Sequence, residues 1–268
     1  MGGFDHNGSK RHVVPAQRRE WIVARLRAAG SVTVQELETE FGVSPMTARR
    51  DLQVLARQGR ATRTHGGALA PGLARQEDSF EARLARDAPS KERLGGAACE
   101  LVADGEAVFV DSSTTAYFAV RSLLDAARRI TVLTNSLAVM DLVARSRHPH
   151  PDLIGLAGSL RKPTRSFVGP ATVEAIGRHF ADKLLFSVNG IAPGGMLTEA
   201  DPLEAEVKRA MVDRSRAAIL MVDGSKFERA GLSAITGIRR VERVLVADAT
   251  PAQLAPLASA GIQMEEVR

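Results

Sequence analysis

The chain has 268 residues, 44% hydrophobic and 25% charged, the composition of a soluble globular protein of one large or two ordinary domains. No apolar run approaches the ~18–20 residues of a membrane helix. The N-terminal MGGFDHNGSKRHVV lacks the core and cleavage site of a secretory signal, so residues 1–13 are expected to be a disordered leader. The lone Cys99 excludes an intramolecular disulfide and, among apolar neighbours, is expected to be a buried thiol in a reducing cytoplasm. Charge is unevenly divided: residues 1–75 hold 12 Lys/Arg against 6 Asp/Glu, and the remaining 193 hold 24 against 25. A basic module joined to a neutral body points to a polyanionic partner for the module alone.

In chain order, Ile22, Leu26 and Ala29 recur at helical spacing over 17–29, with Arg18, Arg19, Arg25 and Arg27 outside that stripe. Pro15 is placed to open this helix and Gly30 to close it. Thr33 and Glu36 have the spacing of a capping box, which starts a second helix with Val34, Leu37 and Phe41 on one face and Gly42 at its end. Ser44-Pro45 then reads as an N-cap followed by proline at the first helical position, and a third helix runs to about Gln58 before Gly59. Two short helices around a Gly-Val-Ser turn form a helix-turn-helix.

On the third helix Ala48, Leu52 and Leu55 share the inward face, Thr47 lies at the boundary, and Met46, Arg49, Arg50, Gln53 and Arg57 point away. That outer face suits base edges and phosphates; an ordinary solvated face has the same residue types. ATRTHGGALA follows as a hairpin turning at His65-Gly66-Gly67. Such a hairpin makes a wing, with Arg60, Arg63 and His65 placed to reach phosphates or a minor groove. His65 has no Cys/His companions, so it is not expected to ligate a metal.

VS-x-x-T-x-RRDL-x-x-L followed by G-x-x-x-R-x-HGG resembles the DNA-binding signature of the DeoR family of bacterial sugar-responsive repressors. The resemblance implies that Thr47, Arg49 and Arg50 are the principal groove-facing residues and that Arg63 to Gly67 form the wing; Ser44, Met46, Gln53, His65 and Gly66 complete the set of candidate DNA-binding residues. Ala48 departs from the family, which has a larger aliphatic residue there.

Residues 71–90, bounded by prolines and of mixed charge, read as a linker with a short helix near Ser79–Arg86. Beyond them strands are predicted at 107–110, 130–133, 152–156, 183–188, 217–222 and 243–247. Amphipathic helices are predicted at 92–102, 116–126, 137–146, 171–180, 203–214 and 251–260. The alternation implies an α/β fold with a mostly parallel sheet covered on both faces, and ligands in such sheets bind at the carboxyl ends of strands. Those ends are polar here: Asp111-Ser112-Ser113-Thr114-Thr115, Thr134-Asn135-Ser136 and Asp223-Gly224-Ser225-Lys226. Hydroxyls and N–H groups at such turns hold phosphates, Asp111 or Asn135 could orient sugar hydroxyls, and Lys226 could add positive charge. The same residue types are also favoured N-caps.

K-x(19)-DSSTT, LTNS, Gly158, F-VG at 167–169, NGI, the Glu204/Lys208 pair and D-x-SK extend the resemblance to the DeoR sensor domain over roughly residues 14–250. The resemblance implies a winged helix-turn-helix at 14–70, a linker at 71–90 and an effector domain at 91–268 resembling ribose-5-phosphate isomerase. It implies a cytoplasmic, homo-oligomeric repressor of carbohydrate genes, with a double-stranded DNA operator and a sugar-phosphate effector as partners. Nucleoid association follows when it is bound to DNA. No membrane, metal, cofactor or catalysis is expected. Two residues depart from the family: Ser113 stands where it has glycine in its phosphate loop, and Ser159 replaces the second glycine of a pair. A side chain at 113 would either fill phosphate space or add a hydroxyl contact. Two other readings are an isomerase using Asp111, Glu199, Glu204 and Lys208 as acid–base groups, and an activator without an effector.

Overall fold

Caps and prolines set the helices of the N-terminal unit. The computed structural model describes residues 13–29, 31–63, 66–69 and 78–268, and the chain divides into units Met1–Gln76 and Glu77–Arg268. In the first, helix α1 (Pro15–Ala29) leads to strand β1 (Ser31–Thr33), helix α2 (Val34–Phe41), helix α3 (Pro45–Arg57) and strands β2 (Thr62–Arg63) and β3 (Gly67–Leu69). The capping box forms: Thr33 Oγ1 accepts from the Glu36 N–H at 3.0 Å while Glu36 Oε2 accepts from the Thr33 N–H at 2.7 Å. Gly42 ends α2 in the left-handed region at φ 62°.

Ile22, Leu26, Leu37, Leu52 and Leu55 form the core of this unit, each under 2% exposed. The wing has three antiparallel strands in the order β1-β3-β2. Sequence reading gives only the last two, which the His65-Gly66-Gly67 sequence marks as a hairpin; β1 has no such mark. Gly67 pairs with Thr33, and a Cβ there would stand 2.1 Å from the Val32 carbonyl oxygen. The second glycine of the HGG motif is therefore a close-approach residue, not only a turn residue.

Residues 78–90, placed in a linker by sequence reading, fold with the second unit. Helix α4 (Phe80–Ala85), N-capped by Ser79, buries Phe80. Helix α5 (Ala88–Glu100) then leads to β4 (Ala107–Val110), α6 (Thr114–Asp125), β5 (Thr131–Thr134), α7 (Leu137–Ala144) and β6 (Asp152–Gly155). Next come β7 (Ser159–Arg161), β8 (Ser166–Val168), α8 (Pro170–Gly177), β9 (Ala181–Phe186), β10 (Gly190–Ala192) and β11 (Met196–Glu199). Helix α9 (Pro202–Asp213), β12 (Ser215–Asp223), β13 (Ser233–Gly237), β14 (Arg243–Ala247), α10 (Pro251–Ser259) and β15 (Met264–Glu266) complete the chain.

Seven strands form a parallel sheet in the order β15-β14-β12-β9-β4-β5-β6. Alternate residues serve opposite faces: Val108, Val110 and Val132 pack with α5, α6 and α7, while Phe109, Leu133 and Leu184 pack with α8, α9 and α10. Burial on both sides is why these strands read as nearly continuous apolar runs. The chain steps from β4 to β5 and β6 in one direction and from β9 to β12, β14 and β15 in the other. The order thus reverses between β4 and β9, which places a ligand crevice at their carboxyl ends. The antiparallel pair β7-β8 and the small sheet β10-β11-β13 stand outside the main sheet.

Candidate nucleic-acid interface and effector site

Helix α3 is rigidly started. Ser44 Oγ accepts from the Thr47 N–H at 3.3 Å and lies 3.0 Å from Thr47 Oγ1, so both hydroxyls serve the cap. Ala48, Leu52 and Leu55 are buried, and Arg49, Arg50, Gln53 and Arg57 are exposed. Met46 is 72% exposed in the first turn, an apolar side chain that hydration disfavours and a thymine methyl would suit. Arg63 on β2 is exposed, and the Gly66 carbonyl accepts from the Val34 N–H at 2.8 Å, tying the wing to α2. His65 lies outside the described residues.

Two arginines have partners that sequence reading does not give. Arg18, expected on the solvated side of α1, is 7% exposed and donates from Nε and Nη2 to Asp51 Oδ2 at 2.8 and 2.7 Å. Asp51 sits in the inward stripe of α3, so this pair fixes the recognition helix against α1. A carboxylate at i+3 from Ala48, within an apolar stripe, was the signal for such a partner. Arg60, expected within reach of phosphates, is paired with the exposed Glu20 at 2.9 Å.

At the switch point, Asp111 bridges the ends of β4 and β9. Its Oδ1 accepts from the Ser113 N–H (2.9 Å) and Oγ (2.5 Å); its Oδ2 accepts from the Ser187 N–H (3.2 Å) and pairs with Lys208 Nζ at 2.9 Å. Lys208 also donates to Glu199 Oε1 at 2.5 Å and to the Ser187 carbonyl at 2.6 Å. Burial alone would strip its proton, but Asp111 and Glu199 beside it more than compensate and hold the ammonium above its ordinary range.

Glu204, one turn before Lys208 on α9, does not pair with it. Its Oε2 accepts from Ser112 Oγ at 3.0 Å and its Oε1 from Ser166 Oγ at 2.5 Å. Burial, opposed by the Ser166 hydrogen bond and helped by the nearby Glu199 charge, raises its pKa. Ser166 on β8 and Glu199 on β11 thus belong to the site; Glu199 entered the sequence reading only as a possible acid–base group, and nothing in the local pattern marked Ser166.

The remaining strand-end residues divide into frame and free groups. Ser113 Oγ caps α6 through the Ala116 N–H at 3.1 Å, and its φ of −72° requires no glycine. Thr134 Oγ1 donates to the Val110 carbonyl at 2.7 Å, and Ser136 Oγ caps α7. Asn135 Nδ2 donates to the Phe167 carbonyl at 2.8 Å, but its Oδ1 is buried without a partner, as is Ser187 Oγ. Such orphaned atoms cost about 1–3 kcal/mol each unless something pairs with them. Thr114 and Thr115 are buried at the start of α6, where N–H groups face the strand ends. Lys226 follows β12; burial lowers its proton affinity, the Asp223 charge opposes that, and Arg229 adds to it. Free hydroxyls, helix N–H groups and a poorly compensated ammonium form an environment for a hydroxylated anion.

The family described as DeoR-like helix-turn-helix domain matches residues 18–72, and that described as DeoR C terminal sensor domain matches 86–248. The glycerol-3-phosphate regulon repressor of Escherichia coli K12 is 33% identical over 88% of this chain and 91% of its own length. The HTH-type transcriptional repressor GlcR of Bacillus subtilis 168 is 31% identical over 87% and 88%. Among solved structures, ribose 5-phosphate isomerase A of Methanocaldococcus jannaschii aligns with TM-score 0.39 and 14% identity over 52% of this chain and 54% of that one.

Proposed function

As the chain belongs to the DeoR family of transcriptional regulators, we propose that it is a homo-oligomeric repressor of carbohydrate genes, released from its operator by a phosphorylated sugar or polyol. The observation that carries this reading is the pairing, in one chain, of an exposed Met46/Arg49/Arg50/Gln53 face with a sensor unit whose strand ends hold unpartnered polar groups. Arg49, Arg50 and Gln53 read base edges, Arg63 and His65 grip the backbone, and Ser44 and Thr47 set the first turn of α3. Thr114, Thr115, Asn135, Ser187 and Lys226 take the effector, on a frame made by Asp111, Ser112, Ser113, Thr134, Ser136, Glu204 and Lys208. For release, the effector must bind more tightly to the chain's DNA-free arrangement, and DNA weakens the effector by the same factor. Two copies are needed to read two half-sites, so effector binding acts on their spacing.

The test is footprinting on DNA flanking the gene and its neighbours, repeated with sugar and polyol phosphates. A protected site lifted by one of them is the expected result. Absence of sequence-specific protection under every condition overturns the reading.

A further inference from the structure

Helix α4 is the first element after the segment that joins the two units. It is seated by the Phe80 N–H on the Pro163 carbonyl at 2.8 Å, by Phe80 edge-on to Tyr117, and by Arg165 over the Phe80 ring. Its Arg83 has no such seat: guanidinium Nε and Nη2 are both buried without a hydrogen-bond partner. Arg83 as a whole is half-buried, but a permanently charged guanidinium with two nitrogens shut off from both water and acceptors is unfavourable unless an anion arrives.

Arg83 also lies in a chain of cations. Lys91 Nζ donates to the main-chain carbonyls of Arg83 and Arg86, closing α4. Burial pushes Lys91 down to about 8; the Lys226 and Arg83 charges press the same way, and only Asp223 and Asp87 oppose them. Lys226 in turn feels Asp223, Glu199 and Lys208. Cations thus run from α4 to the strand ends, while Asp111 and Glu199 are already committed to Lys208.

Resting on the effector reading above, we infer that Arg83 is a direct ligand of the effector's anionic group, so that α4 is part of the effector site. A phosphate or sulfate supplies the acceptors that Nε and Nη2 lack, in the fork geometry that guanidinium favours. The residue that holds the anion then belongs to the helix at which the connection to the DNA-binding unit begins.

The test uses the full chain and inorganic phosphate against chloride at matched ionic strength, read by scanning calorimetry on wild type, R83K, R83Q and K226Q. Phosphate is expected to raise the wild-type melting temperature, and R83Q to weaken the apparent phosphate affinity about tenfold or more. R83K should retain part of it. Without phosphate, R83Q should melt no lower than wild type, since it removes two buried N–H groups that have no acceptor. A rise kept in R83Q but lost in K226Q removes Arg83 from the site and leaves the strand-end reading standing. No rise in wild type sinks both. R83Q melting well below wild type without phosphate also overturns the inference, because the guanidinium would then be holding the fold.

Discussion

Replacing Asp51 by alanine should destabilise the N-terminal unit without touching the exposed face of α3. The carboxylate accepts two hydrogen bonds from Arg18 at 2.8 and 2.7 Å and has Arg19 at 3.7 Å, and the Arg18 and Asp51 side chains are each 8% exposed. Removing it leaves Arg18 buried with the Val13 carbonyl, at 2.7 Å, as its remaining acceptor. Breaking a buried pair on one side costs about 3–5 kcal/mol. In a unit of this size each kcal/mol moves the midpoint by ~4–8 °C, so a fall of at least ~12 °C follows. Trp21 is the only tryptophan and packs edge-on to Phe41 at 5.1 Å, so its fluorescence follows this unit alone. The double variant Arg18→Met/Asp51→Leu should recover most of the loss, since apolar replacement of both partners avoids the stranded charge. A Trp21 melt unchanged by Asp51→Ala, or a double variant no better than the single, would refute this account of how α3 is held.

Three further outcomes are expected. Arg49→Ala and Arg50→Ala should leave the Trp21 melt in place while weakening operator binding by about 1–3 kcal/mol with relaxed specificity where the side chain reads a base; a phosphate contact would instead weaken all sequences evenly and flatten the salt dependence. Gly67→Ala should part β3 from β1, seen as loss of DNA binding and a lowered Trp21 midpoint; full activity would mean the strands separate at no cost. Sulfate, whose charge is constant over the range, should bind with affinity that falls as pH rises through about 8, where free Lys91 loses its proton. Without ligand, the unfolded chain holds that proton more tightly, so stability should rise between about 8 and Lys91's ordinary 10.5. A flat sulfate titration from pH 7 to 9.5 would show that the Lys91 charge does not act on the bound anion.

What could be read from sequence alone was what is local. Ser44-Pro45, Thr33/Glu36 and the inward stripe of α3 each complete their pattern within about two turns, and all appear as expected. The central strands were equally legible, because burial on both faces leaves unbroken apolar runs such as AVFV and AAILMV. The strand-end clusters were found, but not which of their members are free. Ser113 and Ser136 are spent on caps, and Asp111 on a lysine that follows it by almost 100 positions. Partnerships such as Arg18 with Asp51, Ser166 with Glu204, or the orphaned Arg83 depend on which elements the fold brings together, and carry no local periodicity.

The sheet order also fixes a sequence of events when the chain is made. The helices and wing of the first unit close through contacts between near neighbours, the kind that form fast. In the second unit Val110 must find Leu185 before the two halves of the sheet can join, and such distant pairing is slow. The N-terminal unit leaves the ribosome first. A basic module is therefore folded before the sensor unit exists, and, on the proposed function, a chain interrupted after residue 76 is predicted to bind DNA without response to the effector.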